Sequence, residues 1–395
     1  MISVGEAKDI LRKACKPLPP VTVPLQQAMG LVLAQEVFAA IDVPSFNQSA
    51  MDGYAFRFEN WKEGEGLIIA GVVQAGSQME NKVGEKQAVR IFTGAAVPKD
   101  LDTVVIQEKV LVADNQLLIK DSLLTGGNNV RLQGSEIKVG SLALPKDSKL
   151  SPAAIGFLAG IGTTEVLVYP RPKVKLVITG NELVQPGEPL GYGQVYESNS
   201  FALIAVLQQM GIYDVSISFA KDNIKELKAV LETGLTDTDI LLITGGVSVG
   251  DYDFVADALS DCGVEKLFHS IKQKPGKPLF AGKKDDQLVF GLPGNPSSVL
   301  TCFYEYVVPS IELMMNSKTS LIQHKRLPLS NSFSKKSGLT HFLKGYFTEK
   351  EVTILTAQES YRLSSFATAN CLVCLSEEGT GYQDGDFVEV HIHPI

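Results

Sequence analysis

The sequence of 395 residues has no long apolar segment and few cysteines. It contains no run of about 18 uncharged apolar residues, so no membrane-spanning helix is predicted. Met1–Cys15 has the pattern of a short amphipathic helix, whereas a secretory signal would show a basic stretch followed by an apolar one. Five cysteines, an odd number, do not form the disulfide framework of a secreted protein. Together these absences predict a cytoplasmic protein.

An excess of positive charge is also missing. The chain has 36 basic and 44 acidic side chains, which gives a formal net charge of −8. This balance argues against a general nucleic-acid or membrane-surface binder, because both need a basic surface. The content of 45% hydrophobic and 20% charged residues is typical of a globular protein. The length exceeds that of a single core and predicts about two to four domains.

Three turns rich in glycine and proline stand out in the second half of the chain. The first follows the apolar run Ile240–Ile243 and is Thr244–Gly250, with two aspartates directly after it. The second is Lys274–Pro278, and the third is Gly291–Ser298. Each turn follows a β-like segment. In an open α/β sheet, such turns gather at the carboxyl ends of the strands, where ligands bind.

The chemistry of the three turns is complementary. Glycines let backbone N–H groups approach an anion, and Lys274 and Lys277 offer mobile positive charge. Asp251 and Asp253 provide oxygen ligands of the kind that a hard divalent cation prefers. Any one turn is explained equally well as an ordinary α/β turn with solvated charges. Three in succession favour a site for a polyanion that is bound with Mg²⁺.

The first half of the chain reads differently. The loop Ile41–Ala55 has little periodicity, and its Asp52-Gly53 pair fits both a tight turn and a binding loop, so both interpretations stay open. Short β-rich runs bounded by turn residues then predict a small β domain. These runs are Leu67–Val73, Ala88–Phe92, Thr103–Val112 and Gln116–Ile119.

After the linker Tyr169–Pro172 the pattern alternates between strand and helix. Strands are predicted at 173–179, 213–219, 239–244 and 288–291, and helices at 199–210, 223–233, 252–260 and 296–315. This alternation implies a mostly parallel sheet with helices on both faces. From about Ser317 the chain returns to short β-like runs.

The expected fold is therefore a multidomain α/β protein. It has a three-layer α/β core with a mostly parallel sheet, a β-rich insertion domain, an N-terminal helical and linker domain, and a C-terminal β-barrel-like domain. The expected boundaries are 1–45 together with 141–171 for the helical and linker domain, 46–140 for the small β domain, 172–316 for the α/β domain and 317–395 for the C-terminal domain.

Six motifs, taken in this order and at these spacings, resemble one known family. They are Ser49–Ala55, Phe92–Ala95, Thr179–Leu183, Thr244–Gly250 with Asp253, Lys274–Pro278 and Gly291–Ser298. Over nearly its whole length the chain resembles the MoeA-type molybdopterin molybdenumtransferases, which include the E domain of gephyrin. Each motif alone is moderately specific, and the set is highly specific.

The resemblance implies a reaction in molybdenum-cofactor biosynthesis. Molybdenum from molybdate is inserted into adenylated molybdopterin (molybdopterin-AMP), and AMP is released with the help of Mg²⁺. Cleavage of a phosphoanhydride develops negative charge on the leaving AMP, which a metal can neutralise, and a water molecule oriented by a base can attack the anhydride. The resemblance implies catalytic roles for Asp52, Thr93, Glu182, Asp222 and Asp253, with Glu182 and Asp253 also as metal ligands.

The same resemblance implies a set of substrate-binding residues. They are Gly245, Gly246, Ser248, Gly250, Lys274, Lys277, Pro293, Gly294, Asn295, Pro296 and Ser365. Lys344 and Ser364 also resemble family positions credited with anion contact. Exposed polar residues of a β domain would explain these C-terminal positions about as well.

Three departures from the common family pattern concern the geometry of anion binding. Asn181 stands where many bacterial members have aspartate, and Ser135 stands within the usual Gly-Glu-Asp turn. Ser270 stands where a basic residue is often found, and His269 and Lys272 lie close enough in sequence to substitute for it.

The resemblance also implies a homodimer in which Asp52 and Thr93 reach the α/β core of the neighbouring subunit, and it suggests a molybdopterin adenylyltransferase as a partner protein.

One alternative function is that of the adenylyltransferase itself, which resembles residues 172–316 alone. The flanking domains argue against it. Another is a non-catalytic molybdopterin-binding scaffold, and the clustered acidic residues argue against that, since a scaffold does not need costly clustered carboxylates.

Two further patterns favour structural roles. Cys371 and Cys374 lie on a β-like run, where their side chains point to opposite faces, so buried thiols are a better prediction than a zinc site. His391 and His393 share one face of a strand near the chain end. A solvated pair is a better prediction for them than a metal site.

Overall fold

The computed structural model describes residues 1–77, 79, 81–221, 223–247 and 254–393. The chain forms two compact units. The smaller comprises Thr22–Met29 and Leu33–Leu167, and the larger comprises Met1–Val21, Gly30–Val32 and Val168–Ile395. Four predicted site residues, Asp222, Ser248, Gly250 and Asp253, lie outside the described residues. Within the described ranges, none of the helices combines the length and the apolar character needed to cross a bilayer.

The helices begin and end at recognisable sequence signals. Ser3 and Glu6 form the capping box of the first helix, with the Ser3 Oγ accepting from the Glu6 amide at 3.2 Å and the Ser3 amide donating to the Glu6 carboxylate at 2.8 Å. Ser151 caps the second helix, which has proline at its first position. The helices are α1 Val4–Ala14, α2 Pro152–Gly160, α3 Asn199–Gln209, α4 Ile224–Gly234, α5 Val255–Asp261, α6 Pro296–Cys302, α7 Val308–Met314 and α8 Ser364–Ala367. A π-helical turn, Phe303–Val307, joins α6 to α7.

The smaller unit is built on a six-stranded sheet. In spatial order its strands are Thr103–Ile106, Gly53–Phe56, Gln87–Ile91, Gly66–Val73, Gln116–Ile119 and Val110–Ala113. Alternate side chains form a core on each face, one around Val89 and the other around Phe56. The predicted run Thr103–Val112 is two strands, because a 3₁₀ turn at Gln107–Lys109 interrupts it.

The larger unit contains the predicted α/β sheet. Its spatial order is Val215–Ala220, Val174–Thr179, Ile240–Thr244, Gln287–Leu292, Phe280–Lys284 and Glu265–His269. The first four strands are parallel, which confirms the prediction. The last two strands were not predicted, and Phe280–Lys284 pairs antiparallel with both of its neighbours, Gln287–Leu292 and Glu265–His269. Ile240–Thr244 is buried throughout, as expected for a central parallel strand.

Helices α4 and α5 cover one face of this sheet. Leu227 and Leu231 of α4 and Leu259 of α5 pack in one cluster with Leu241 and Val289 of the strands. Because residues three and four apart share one face of a helix, the apolar spacing in α4 places its leucines on the sheet. This packing fixes the sheet edge from which the glycine-rich turns start.

A second sheet of the larger unit lies in the C-terminal part of the chain. In spatial order its strands are Gln273–Lys274, Thr340–Phe347, Cys371–Leu375, Phe387–Ile392 and Gln323–Pro328, and Val352–Ile354 pairs with Thr340–Phe347. One face forms an apolar core around Leu343, Val373 and Val390. The short strand Gln273–Lys274 pairs in parallel with Thr340 and His341. The lysine turn is therefore joined to the C-terminal sheet by backbone hydrogen bonds.

The remaining strands are short. They are Val21–Pro24, Val32–Leu33, Val37–Phe38, Gln48–Ser49, Val130–Arg131, Leu142–Leu144, Glu165–Tyr169, Leu183–Val184, Val195–Tyr196, Phe333–Ser334 and Gly381–Tyr382. Residues 24–40, which mix helical and strand signals in sequence, form short strands and the 3₁₀ turn Leu25–Gln27.

The two cysteines of the C-terminal strand lie on opposite faces, as predicted. Cys371 belongs to the apolar core, and Cys374 lines a cavity on the other face. The prediction for the histidines was wrong. His391 and His393 are 2% and 5% exposed, because the π-helical turn covers their face of the sheet. The ring of His393 stacks on Tyr304 at 4.0 Å between ring centres, and His391 binds Glu305.

Candidate functional site

Three neighbouring parallel strands of the α/β sheet end at the same edge. Thr244 lies opposite Ile178 on one side and opposite Leu292 on the other. The turns that follow, Gly180–Leu183, Gly245–Val247 and Pro293–Pro296, therefore start side by side. The sheet thus brings together three of the motifs that the sequence separates by many residues, at the edge where α/β proteins bind ligands.

Gly245 and Gly246 are required by the local geometry. Both have positive φ, +88° and +60°. A Cβ on Gly245 would lie 2.6 Å from the backbone oxygen of Thr179, the last residue of the adjacent strand. The Gly245 amide donates to the oxygen of Leu292 at 3.2 Å, which ties this turn to the third strand end. Two turns can approach this closely only because glycine has no side chain.

Three buried polar atoms near these strand ends have no hydrogen-bond partner among the described residues. They are Thr244 Oγ1, Asn199 Oδ1 and Ser297 Oγ. The other end of the Asn199 amide donates to the backbone oxygen of Gly294 at 3.0 Å, so this side chain is fixed against the third turn. Because buried polar groups are nearly always hydrogen-bonded, these atoms are suited to a polar ligand.

Glu182 lies in the turn after Val174–Thr179. Its backbone oxygen accepts from Val195 at 2.9 Å, and its side chain is exposed. Gly180 begins the turn with φ +146°, and a Cβ there would lie 2.9 Å from the Leu183 side chain. A cavity of about 370 Å³ opens beside this turn, and Asn181, Lys221 and Glu226 are among its polar lining residues.

The lysine turn is held by one buried amide. The Gln273 Nε2 donates to the backbone oxygens of Pro275 at 3.0 Å and Gly276 at 3.3 Å. Its Oε1 accepts a hydrogen bond from the Tyr306 hydroxyl. A Cβ on Gly276, which has φ +83°, would collide with the sulfur of Cys302. The turn is therefore rigid while Lys274 and Lys277 on either side of it are exposed.

A second cavity, of about 480 Å³, lies beside Lys274. It is lined by that lysine and by residues of the Leu355–Glu359 segment, together with Asn331 and Phe333. His341 is the strand partner of Lys274. Burial, with the nearby charges of Lys335 and Lys274, lowers the pKa of His341 to about 4. His341 is therefore neutral at physiological pH.

Lys344 and Ser365 hold this segment from behind. The Lys344 ammonium is 2% exposed and donates to the backbone oxygens of Ala357 at 2.8 Å and Arg362 at 3.1 Å. The Ser365 hydroxyl donates to Ala357 at 2.7 Å. Burial lowers the pKa of Lys344. These two residues are therefore not the exposed polar residues that an ordinary β domain would show, whereas Ser364 is exposed.

The same segment contacts the third turn. The backbone amide of Ser297 donates to the backbone oxygen of Ser360 at 3.0 Å. The side-chain amide of Asn295 donates to the Ser360 hydroxyl at 3.0 Å. Through Ser360, the structure brings the Pro293–Pro296 turn together with the segment that lines the cavity beside Lys274. Ser365 reaches that segment through Ala357.

The residues considered as substitutes at the Ser270 departure are engaged elsewhere. Lys272 forms an ion pair with Glu377 at 2.9 Å, which raises the pKa of the lysine. His269 Nε2 lies 3.1 Å from the backbone oxygen of Val247 and so fixes the first glycine-rich turn. Ser270 has φ +76°, a conformation uncommon for residues other than glycine.

In the smaller unit, Asp52 and Thr93 form a pair. The Asp52 carboxylate accepts from the Thr93 amide and from its hydroxyl, both at 2.7 Å. These two hydrogen bonds lower the pKa of Asp52. Gly53, which follows Asp52, begins a strand that is paired on both sides. A Cβ on Gly53 would collide with the backbone carbonyl of Val105, so only glycine fits at this position.

A polar cavity of about 480 Å³ in the same unit is lined in part by Ser135, the second of the three departures from the family pattern. Asp42, Arg131, Ser135 and Glu136 are among its lining residues. Asp42 accepts from the Val139 amide and from the Gln133 side chain, both at 2.8 Å. The carboxylate retained at Glu136 therefore borders an open cavity.

Sequence reasoning missed Gln273, Tyr306 and Asn199. Gln273 precedes the predicted lysine turn, yet only the structure shows that its amide is buried. Tyr306 lies 33 residues further on, and no local pattern connects it to Gln273. Asn199 was available as the first residue of a predicted helix. Its side chain instead reaches the Gly294 carbonyl.

Three protein-family models match consecutive parts of the chain. They are the MoeA N-terminal region (domains I and II) at residues 2–162, a probable molybdopterin-binding domain at 175–313, and the MoeA C-terminal region (domain IV) at 326–392. The molybdopterin molybdenumtransferase of Haemophilus influenzae is 33% identical over 402 aligned positions, which cover 99% of this chain and 98% of the relative. The chain belongs to the MoeA family.

Other relatives agree with this membership. The molybdopterin molybdenumtransferase 2 of Mycobacterium tuberculosis is 32% identical and covers 96% of each chain. The crystal structure of the molybdopterin biosynthesis MoeA protein from Pyrococcus horikoshii has a TM-score of 0.84 at 29% identity and covers 99% of each chain. The multidomain α/β fold expected for this MoeA-family protein is thereby confirmed.

Proposed function

We propose that this MoeA-family protein inserts molybdenum from molybdate into molybdopterin-AMP and releases AMP. The similarity to a named molybdopterin molybdenumtransferase over 99% of the chain carries the proposal. A molybdopterin adenylyltransferase is expected to resemble the α/β part alone, whereas here the family models also match on both sides of that part.

Binding of the pterin and phosphate groups is assigned to the aligned strand ends. Amides of Gly245 and Gly246 would approach the phosphates, and Ser248 and Gly250 of the same sequence motif are assigned to the same ligand. The Thr244 hydroxyl and the side-chain oxygen of Asn199, both without a partner among the described residues, offer hydrogen bonds to the ligand. Pro293, Gly294, Asn295 and Pro296 form the opposite wall. Glycine turns and fixed polar groups are the features by which α/β proteins hold phosphorylated ligands.

Molybdate is assigned to the lysine turn. Lys274 and Lys277 are exposed point charges on a rigid backbone, and such charges attract an oxyanion without demanding one orientation. Gln273 and Tyr306 hold the turn in shape. Lys344 and Ser365 support the Ala357–Arg362 segment beside Lys274, so their role is assigned to positioning this segment.

The acidic residues are assigned to the reacting anhydride. Glu182, Asp222 and Asp253 follow strands that end at the same edge in the sequence pattern. Of these, Glu182 lies in the described part of the chain and has an exposed carboxylate. Oxygen donors of this kind fit Mg²⁺, and Glu182 with Asp253 would hold it. Bound there, Mg²⁺ would neutralise charge on the phosphates. Asp222 would orient the attacking water.

Asp52 and Thr93 complete the proposal in a homodimer. Thr93 fixes the Asp52 carboxylate in an ionised form that can act on a neighbouring subunit's site. Support for a dimer comes from the edge strand Val215–Ala220, where Ile217 and Phe219 are exposed apolar residues on a sheet edge. Size-exclusion chromatography with light scattering should give twice the 42.6 kDa chain mass, and Phe219→Asp should lower it.

Three further proposals concern the location of the protein, its partner and its domain boundaries. The protein acts in the cytoplasm, and a separate molybdopterin adenylyltransferase supplies its adenylated substrate. The four domains have the boundaries expected from sequence, 1–45 with 141–171, 46–140, 172–316 and 317–395. A pull-down during turnover tests the partner, and a failure to recover an adenylyltransferase would count against it.

The reaction is tested by AMP release from molybdopterin-AMP and Mg²⁺, with and without molybdate. We expect molybdate to stimulate release and Lys274→Ala to reduce that stimulation by about tenfold or more, as expected when a charge that holds an oxyanion is lost. Lys266→Ala, an exposed lysine elsewhere on the same unit, is the matched control. Tight binding of molybdopterin-AMP without release would indicate a scaffold. Synthesis of molybdopterin-AMP from ATP would indicate an adenylyltransferase.

A further inference from the structure

Two histidines and one glutamate meet on the face of the C-terminal sheet that is opposite its apolar core. His324 and His391 are direct partners across the antiparallel strands Gln323–Pro328 and Phe387–Ile392. Glu389 lies two residues before His391, so its side chain points to the same face. The three side chains therefore converge because of strand register, with no loop involved.

The ligand atoms of this cluster are hydrogen-bonded to one another and lie close enough to share one metal ion. The Glu389 Oε1 lies 3.0 Å from Nε2 of His391 and 3.3 Å from Nδ1 of His324. All three ligand atoms lie within 4.8 Å of one another. A tetrahedral zinc ion with bonds of about 2.0–2.1 Å keeps its ligand atoms about 3.3 Å apart. Small side-chain movements would therefore suffice to bind the ion.

The orientation of His391 is fixed from behind. Its Nδ1 lies 2.6 Å from Oε1 of Glu305, a buried carboxylate on the π-helical turn. The other oxygen of Glu305 accepts from the Lys8 ammonium at 2.6 Å. In many metal sites a carboxylate that accepts a hydrogen bond from Nδ1–H orients the ring so that Nε2 points toward the ion. Glu305 gives His391 the same arrangement.

The cluster is accessible to an ion. The side chains of His324 and Glu389 are 50% and 53% exposed and line a cavity of about 600 Å³. Three cations near the cluster have other partners. Lys8 binds Glu305, Arg326 donates to the backbone oxygen of Phe387 at 3.5 Å, and the Lys325 ammonium lies 5.7 Å from the centre of the Phe347 ring. A hydrated ion can therefore enter and keep a water molecule.

We propose that His324, Glu389 and His391 bind one divalent transition-metal ion, of which Zn²⁺ is the representative, with water completing a tetrahedral set. A set of two imidazoles and one carboxylate binds such ions in preference to Mg²⁺. Binding displaces the proton on His391 Nε2, which is released to solvent, while the Nδ1 proton stays on His391 and remains hydrogen-bonded to Glu305. The ion would join two neighbouring strands of the sheet. This site is separate from the Mg²⁺ ligands assigned to the reaction.

The test is calorimetric titration of the tag-free, full-length protein with Zn²⁺ after treatment with a chelator. We expect one Zn²⁺ per chain. His324→Ala and Glu389→Gln, both at exposed positions, should each weaken binding by at least about tenfold, since the loss of outer partners alone costs that much. Gln323→Ala is the matched control, because this neutral exposed residue precedes His324 and offers no ligand to the cluster.

Two further measurements make the result decisive. An excess of Mg²⁺ should leave Zn²⁺ binding unchanged, because Mg²⁺ binds oxygen ligands. Co²⁺ in place of Zn²⁺ should give the visible absorption of a tetrahedral site in the wild type and lose it in His324→Ala. The proposal is overturned if no stoichiometric Zn²⁺ binding occurs, or if binding persists at full strength in both ligand variants.

Discussion

The hydroxyl of Tyr306 donates a hydrogen bond to the side-chain oxygen of Gln273, and both side chains are buried. The same Gln273 amide donates to the backbone of the lysine turn at Pro275 and Gly276. A residue of the π-helical turn therefore sets the shape of the backbone that carries Lys274 and Lys277. The shape of the turn that carries both lysines therefore depends on Tyr306, which lies 33 residues after Gln273 in the sequence.

Replacing Tyr306 by phenylalanine should weaken molybdate binding without touching a lysine. The buried Gln273 oxygen would lose its donor, which costs about 1–3 kcal/mol in the free energy of unfolding. The turn would also gain freedom, so the Kd for molybdate should rise. Chemical denaturation and equilibrium molybdate binding check the two effects. Tyr346→Phe, at an exposed position, is the control. Unchanged molybdate affinity in a destabilised Tyr306→Phe protein would contradict the positioning role.

Gly245→Ala tests the close approach of two strand-end turns. The substituted residue would keep φ +88° only at a cost of about 1–3 kcal/mol, and its Cβ would meet the Thr179 oxygen at 2.6 Å. We expect a lower free energy of unfolding and a loss of affinity for molybdopterin-AMP. Gly5→Ala in α1, where a Cβ meets no atom within 4 Å, should be neutral or slightly stabilising. Equal stability of the two variants would refute the geometric argument.

Thr93→Val tests the Asp52 pair. The variant removes the hydroxyl donor and keeps the backbone donor, so the pKa of Asp52 should rise part of the way toward its ordinary value. Molybdate-stimulated AMP release should fall, while the free energy of unfolding should change little because the pair is exposed. Thr93→Ser keeps the hydroxyl and should behave like the wild type. Carbon-detected NMR titration of Asp52 reports the pKa, and an unchanged value in Thr93→Val would remove the basis for this role.

His341 predicts a pH dependence of stability. Its pKa is about 4 in the folded state and 6.5 in the unfolded state, so the unfolded chain binds more protons in between. Its contribution to stability is complete above pH ~6.5 and is lost as the pH falls toward 4. Between pH 7 and pH 5 the wild type should lose about 1–2 kcal/mol more than His341→Gln. Parallel denaturation profiles for the two proteins would show that His341 is not held neutral by the fold.

The sequence predicts the strand ends well, because each is marked locally. Apolar runs such as Ile240–Ile243 identify buried strands, and the glycines that follow identify turns. Parallel pairing then places Gly180, Gly245 and Pro293 at one edge without further information. The α/β sheet and its glycine-rich turns follow from such local signals.

The supporting contacts could not be predicted in this way. The strands Phe280–Lys284 and Glu265–His269 pair antiparallel. Both contain lysine, the first also contains glycine, and neither has a strong apolar pattern. The burial of His391 depends on Glu305, 86 residues earlier in the chain. Periodicity shows which face of an element is apolar, but it does not show which distant carboxylate will pair with a buried histidine.

The most direct test of the central claim is the composition of the product. Wild-type protein is supplied with molybdopterin-AMP, Mg²⁺ and molybdate, and the released AMP and the molybdenum bound to the pterin are measured in the same sample. The account predicts one molybdenum incorporated for each AMP released, and a stimulation of AMP release by molybdate that falls about tenfold or more when Lys274 is replaced by alanine. AMP release without molybdenum in the pterin, or incorporation that does not depend on molybdopterin-AMP, would contradict it.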